Sequence, residues 1–268
     1  MSLIQAARQI DSLLRGGFTQ DGKLKAESVD LPVRTMVMAS IALGAVYGAC
    51  MGLFAVLRPD NPSFPQLLAT TVKVPLLFLA TLLVTYPSLY VFAALARSPL
   101  TAASMLKLLI AAVAVNLAVL ASFGPVTGFF TLSTDSYAFM VLLSVTFFVV
   151  SGAVGLGFLS RALNSVFRTE EQAADASAAE AEDQGNAQDI KMRQIEQRHA
   201  KLRGDSNPGR SVLRVWVVIY AVVGAQMAWI MRPFIGAPNL EFSFFRQRGG
   251  NFIKAFFEAI GDLLNGQV

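Results

Sequence analysis

From Thr35 to Leu57, between Arg34 and Arg58, the chain carries no charge at all. Four further stretches are similarly apolar, three of them without charge and the third span with Lys107 alone at its start. They are Val74 to Ala96, about Leu106 to Phe123, Tyr137 to Leu159, and Val215 to Met231. A helix needs about 20 mostly apolar residues to cross a bilayer, and each stretch approaches or exceeds that. The hydrocarbon region excludes charge, so charge collects in the loops. Only 15% of the residues are charged, against about 25% in an ordinary soluble domain. The runs are continuous rather than alternating and about twice the length of a barrel strand, which excludes a β-barrel. Without water to satisfy the backbone, the helix is the remaining solution. The expected fold is an all-α polytopic membrane bundle of about five transmembrane helices with interfacial amphipathic helices. The third span has the weakest bounds, because Lys107 stands at its start and Gly124-Pro125 interrupts its course toward Phe130.

Lysine and arginine fix an expected orientation. Sixteen of them precede span one, lie between spans two and three, or lie between spans four and five; six, including Arg58 and Lys73, lie on the other side. The positive-inside rule then places the N-terminus in the cytoplasm of a bacterial inner membrane and the C-terminus outside it. The first 34 residues lack the uninterrupted apolar core of a signal peptide, so span one is expected to be retained. The implied organisation begins with a cytoplasmic amphipathic segment over 1–34 and a four-helix membrane region over 35–163. A charged, partly disordered cytoplasmic loop over 164–211 follows, then a fifth helix over 212–232 and a non-cytoplasmic amphipathic tail over 233–268. Residues 3–14 and 252–264 each show an apolar stripe at helical spacing, suited either to the membrane interface or to packing on the ends of the bundle.

The sequence pI of about 9.4 does not point to nucleic acid, because the basic residues flank apolar spans. Cys50 and His199 are the single cysteine and histidine, too few for a Cys/His metal site. There is no G-x-S-x-G, H-E-x-x-H, C-x-x-C or P-loop, and no Asp or Glu inside a span. Proton- and cation-coupled transporters generally carry acids there. These features argue against an enzyme and call for no cofactor.

Four features remain as candidate sites. Gly44, Gly48 and Gly52, preceded by Ser40, put a groove of small residues on one face of span one, which lets another helix approach closely. That helix belongs either to this chain or to a neighbour. In span two, Pro87 should kink the helix, with Thr85 or Ser88 capping the freed carbonyls and with Tyr86 and Tyr90 needing partners. The arrangement is either a polar pocket or a kinked helix satisfied by nearby backbone. Asn116 and Gln226 are the carboxamides within the spans and are expected to bond across helices. After span five, Trp229 and Arg232 stand at interfacial depth, followed by Phe242, Phe244, Phe245, Arg246 and Arg248. This segment is expected to fold back on the bundle, with Arg232 and Arg246 either offering planar bidentate donors to a lipid headgroup or a partner's carboxylate or only satisfying helix-end carbonyls.

The runs Pro87-Ser88-Leu89-Tyr90-Val91-Phe92 and Met227-Ala228-Trp229, with Arg232-Pro233-Phe234-Ile235-Gly236, Phe245-Arg246 and Gly250-Asn251-Phe252, resemble a group of uncharacterised bacterial multi-pass membrane proteins. The five-span plan over 35–232 is also similar to the YIP (Ypt-interacting-protein) superfamily. Its eukaryotic members have a cytoplasmic N-terminus and act in membrane trafficking beside small GTPases. The long charged loop before span five and the amphipathic tail depart from that plan, so the resemblance implies neither a trafficking role nor any residue's role. The expectation is a scaffolding or accessory membrane subunit that binds lipids, other membrane-protein subunits or a second copy of itself. The second expectation is a small-molecule channel or transporter subunit.

Overall fold

A computed structural model describes residues 33–58, 62–95, 101–183, 208–232, 234–236, 241–245 and 261. Among the described residues six helices carry the fold: α1 (Val33–Leu57), α2 (Phe64–Leu95), α3 (Ala102–Ser122), α4 (Gly124–Ser133), α5 (Tyr137–Asp183) and α6 (Pro208–Met231). No strand occurs among the described residues. Among the described residues four stretches are long and apolar enough to cross a membrane: Val33–Leu57, Phe64–Ser88, Ala103–Ser133 and Tyr137–Ala162. Val215–Met231 is a shorter apolar helix. The chain is an all-α bundle of the membrane type.

Local chemistry explains the helix ends. Pro65 lies in the first turn of α2, where a missing N–H costs nothing. Thr101 caps α3 by accepting from the Ser104 N–H at 3.2 Å. Pro125 follows the break at Phe123 and lies in the first turn of α4, so the third span is two helices end to end. Ser136 accepts from the Phe139 N–H at 3.3 Å at the start of α5.

The core sits around α3. Leu108, Leu109, Ile110, Ala111, Ala112, Val113, Ala114, Val115, Leu117 and Leu120 are all buried, the all-round apolar signature of a central helix. It packs against α1, α2 and α5. α1 packs most extensively on α2, and α6 lies on α2. Over its span only 22% of the α5 residues are buried, against 61% for α3–α4, and Val149, Val150 and Val154 are exposed.

Three expectations are corrected here. Span two does not begin after Lys73: α2 starts at Phe64, and Lys73 lies about 13 Å along it at 1.5 Å per residue. Span four ends near Ala162, close to the expected bound, but the stretch from residue 164 begins as helix and not as loop. α5 is 47 residues long, about 70 Å, so its second half must leave a hydrocarbon layer of about 30 Å. Its Ala- and Glu-rich continuation has the helix propensity to do so without an apolar stripe. Around Pro87, Thr85 Oγ1 donates to the Thr81 carbonyl at 2.7 Å and Ser88 Oγ to the Thr85 carbonyl at 2.7 Å. Neither reaches the Leu83 carbonyl that the proline frees, because each hydroxyl takes the carbonyl three or four residues back on its own face. Residues 3–14, 184–207 and all of 252–264 except Gly261 lie outside the described residues.

Candidate functional site

The small-residue face of α1 meets the first three turns of α2. A Cβ on Gly44 would lie 2.9 Å from the Pro75 Cβ, one on Gly48 2.6 Å from the Thr70 carbonyl oxygen, and one on Gly52 2.8 Å from the Leu67 Cα. The groove therefore takes a helix of the same chain, at backbone-to-backbone distance. Pro75 suits this position, since its ring sits over the glycine that leaves room for it.

The segment after α6 lies on another side of the same three turns. Gln66 Nε2 donates to the Phe234 carbonyl at 2.8 Å, and the Thr70 hydroxyl is also within hydrogen-bond reach of that oxygen. Arg58 Nη1 donates to the Gly236 carbonyl at 3.0 Å. Lys73 Nζ donates to the Phe244 carbonyl, and the rings of Phe244 and Phe245 stand 4.6 and 5.5 Å from the ammonium. Lys73 has no exposed surface, and Gln66, Thr70 and Arg58 are also buried. Gln66, Thr70 and Lys73 follow at spacings of four and three, one stripe of donors on a single helix face. Gly236 is required twice over: its φ is +50°, and a Cβ there would lie 3.0 Å from Gln66 Cγ. Burial draws the Arg58 pKa down, with Tyr137 opposing.

The expected site residues do not converge. Arg232 stacks on Trp229, its guanidinium carbon 3.6 Å from the ring centroid. Arg246 lies outside the described residues. Tyr86 is half-buried, Tyr90 is 53% exposed, and Gln226 is exposed on α6. Asn116 faces a different place, a small crevice between α3 and α5. The segment is thus held by donors of Arg58, Gln66, Thr70 and Lys73, which were not among the expected site residues. The signal for three of them was present as the i, i+4, i+7 spacing, masked by reading Lys73 as the end of a span. Trp216 was also missed. It is fully buried, and its indole N–H points to the Thr85 carbonyl at 3.4 Å.

Chemically, the clamp on α2 consists of donors on main-chain carbonyls, an arrangement that fixes a strand of chain. Among the described residues no group of three His, Cys, Asp or Glu is placed to hold a metal ion. The chain matches no protein-family model, no curated protein and no solved structure.

Proposed function

We propose that the protein is an accessory or scaffolding subunit of a bacterial inner membrane, with its N-terminus in the cytoplasm, that acts by binding lipid and other membrane subunits and not by catalysis. The observation that carries this reading is how the polar and apolar groups are spent. Arg58 Nη1, Gln66 Nε2 and Lys73 Nζ at the α1–α2 end donate to carbonyls of the chain itself. Much of what the spanning helices leave exposed is apolar. Val149, Val150 and Val154 on α5, Phe129 and Leu132 on α4, and Val218 and Val222 on α6 are exposed. In lipid such faces associate through close packing and not through the hydrophobic effect. Likeness in plan to the YIP superfamily is compatible with this role and adds no residue to it. A channel or transporter subunit would need polar side chains along one path, and of Tyr86, Tyr90, Asn116 and Gln226 only Asn116 lines the crevice.

The test is a photo-crosslinking residue at Val150 or Val218 in the full chain, in its native membrane, followed by mass analysis. The reading predicts a defined protein adduct, either a second subunit or a second copy. Lipid adducts alone from both positions would reject the subunit role.

A further inference from the structure

The crevice at Asn116 lies at the end of the bundle where α6 begins. Around it α6 packs on α2, α2 on α3, and α3 on α5, while no comparable packing joins α5 to α6. Among the described residues four helices therefore form an arc with its opening between α5 and α6. Leu82, Gly152, Leu156, Trp216 and Tyr220 are in the lining with Asn116. The free volume is about 20 Å³, room for one water or one hydroxyl group.

Asn116 is only 5% exposed, and its Oδ1 has no hydrogen-bond partner among the described residues. Gly155 holds it in place: a Cβ there would lie 2.8 Å from the Asn116 Cβ, so the carboxamide stem is pinned against α5. A buried acceptor left unmade is costly, and this one lines a space of the right size for a donor. A trapped water is held by two to four polar partners. This lining is apolar apart from Asn116, Trp216 and Tyr220, and with the indole N–H already directed to the Thr85 carbonyl only Asn116 and the Tyr220 hydroxyl are left, the lower limit for holding a water. A charged headgroup would be desolvated with no counter-charge in the lining. The chemistry that fits is one hydroxyl on an apolar tail.

We propose that the crevice binds a neutral membrane amphiphile whose hydroxyl donates to Asn116 Oδ1 and whose tail leaves between α5 and α6 past Gly152 and Leu156. The proposal deepens the lipid-binding part of the function proposed above and does not depend on a protein partner.

Trp216 is a built-in reporter, since the chain has two tryptophans and Trp229→Phe leaves it alone. The full chain, reconstituted in phosphatidylethanolamine and phosphatidylglycerol vesicles, is titrated with a chain-brominated diacylglycerol and with a brominated fatty alcohol. Brominated phosphatidylcholine, which has no hydroxyl, is the control. Saturable quenching of Trp216 by either hydroxyl probe, with only linear quenching by the control, is the expected result. The probe that saturates tells a glycerol-borne hydroxyl from a chain-terminal one. Asn116→Leu should weaken that binding about tenfold, the worth of one buried hydrogen bond. Gly152→Val should abolish it by filling the mouth. A Cβ at Gly152 meets nothing within 4 Å, so this variant retains the fold and carries the test if Asn116→Leu does not fold. Quenching by both hydroxyl probes that is linear and equal to the control overturns the proposal, as does quenching unchanged in Gly152→Val. A missing protein adduct at Val150 and Val218 leaves this result standing, and the reverse also holds.

Discussion

Adding one methyl group at Gly48 should separate α1 from α2. A Cβ there would sit 2.6 Å from the Thr70 carbonyl oxygen and 2.9 Å from the Thr71 Cα, whereas ordinary Cβ contacts begin near 3.4 Å. Both neighbours are backbone, so no rotamer change relieves the clash, and the helices must part by about 0.8 Å. A gap of 0.5–1 Å forfeits roughly a quarter to a half of the dispersion attraction across the contact. In lipid that attraction is the main force holding two helices together. The gain in helix propensity from Gly to Ala, about 1 kcal/mol, offsets part of the loss. Overpacking of this kind costs about 1–3 kcal/mol net, and Gly48→Leu should fall at or beyond the upper end. The control is Gly128→Ala, where a Cβ meets nothing within 4 Å and stability should hold or rise. The assay is thermal unfolding of the full chain in mild detergent, followed by fluorescence-detected size exclusion. A Gly48→Ala protein as stable as Gly128→Ala would refute the close approach of the two helices.

Three further outcomes follow from the clamp on α2. Gly236→Ala places a side chain at φ +50° and 3.0 Å from Gln66 Cγ, at a cost of about 1–2 kcal/mol, and should raise hydrogen exchange at residues 234–236 while α3 stays protected. Lys73→Met keeps the stem and removes the ammonium beside Phe244 and Phe245, a loss of about 1.5–3 kcal/mol for a charged hydrogen bond; protease cleavage between 241 and 245 should speed up, and unchanged cleavage would show that the lysine holds nothing. Gln66→Leu should act in the same direction at the Phe234 end, measured by the same digestion.

The membrane spans were legible because absence of charge is a local property, readable one window at a time. The glycine face of α1 was legible for the same reason, but its occupant was not. Spacing shows that a helix fits there, while the contact to Pro75 and Thr70 is made by the folded chain. Lys73 shows where local reading fails. A lysine at the border of an apolar run ordinarily marks the headgroup region. This one is inside α2 because its partner, the Phe244 carbonyl, lies 171 residues away. Asn116 was recognisable as a buried carboxamide, yet the crevice around it depends on Gly155, Leu82 and Trp216 from three other helices. The continuation of α5 past residue 164 was foreshadowed by its alanine and glutamate content. Propensity alone does not decide between a solvated helix and a loop.

We propose that the short apolar helix Val215–Met231 crosses the membrane and returns the chain to the side where α1 joins α2, where Phe234, Gly236 and Phe244 meet donors of Arg58, Gln66 and Lys73. Single cysteines at Pro62, Glu241 and Ser177, in a Cys50→Ala background, test it with a membrane-impermeant maleimide on intact cells. The account predicts labelling at 62 and 241 without permeabilisation, and at 177 only after it. Labelling of 177 and 241 from the same side would contradict it.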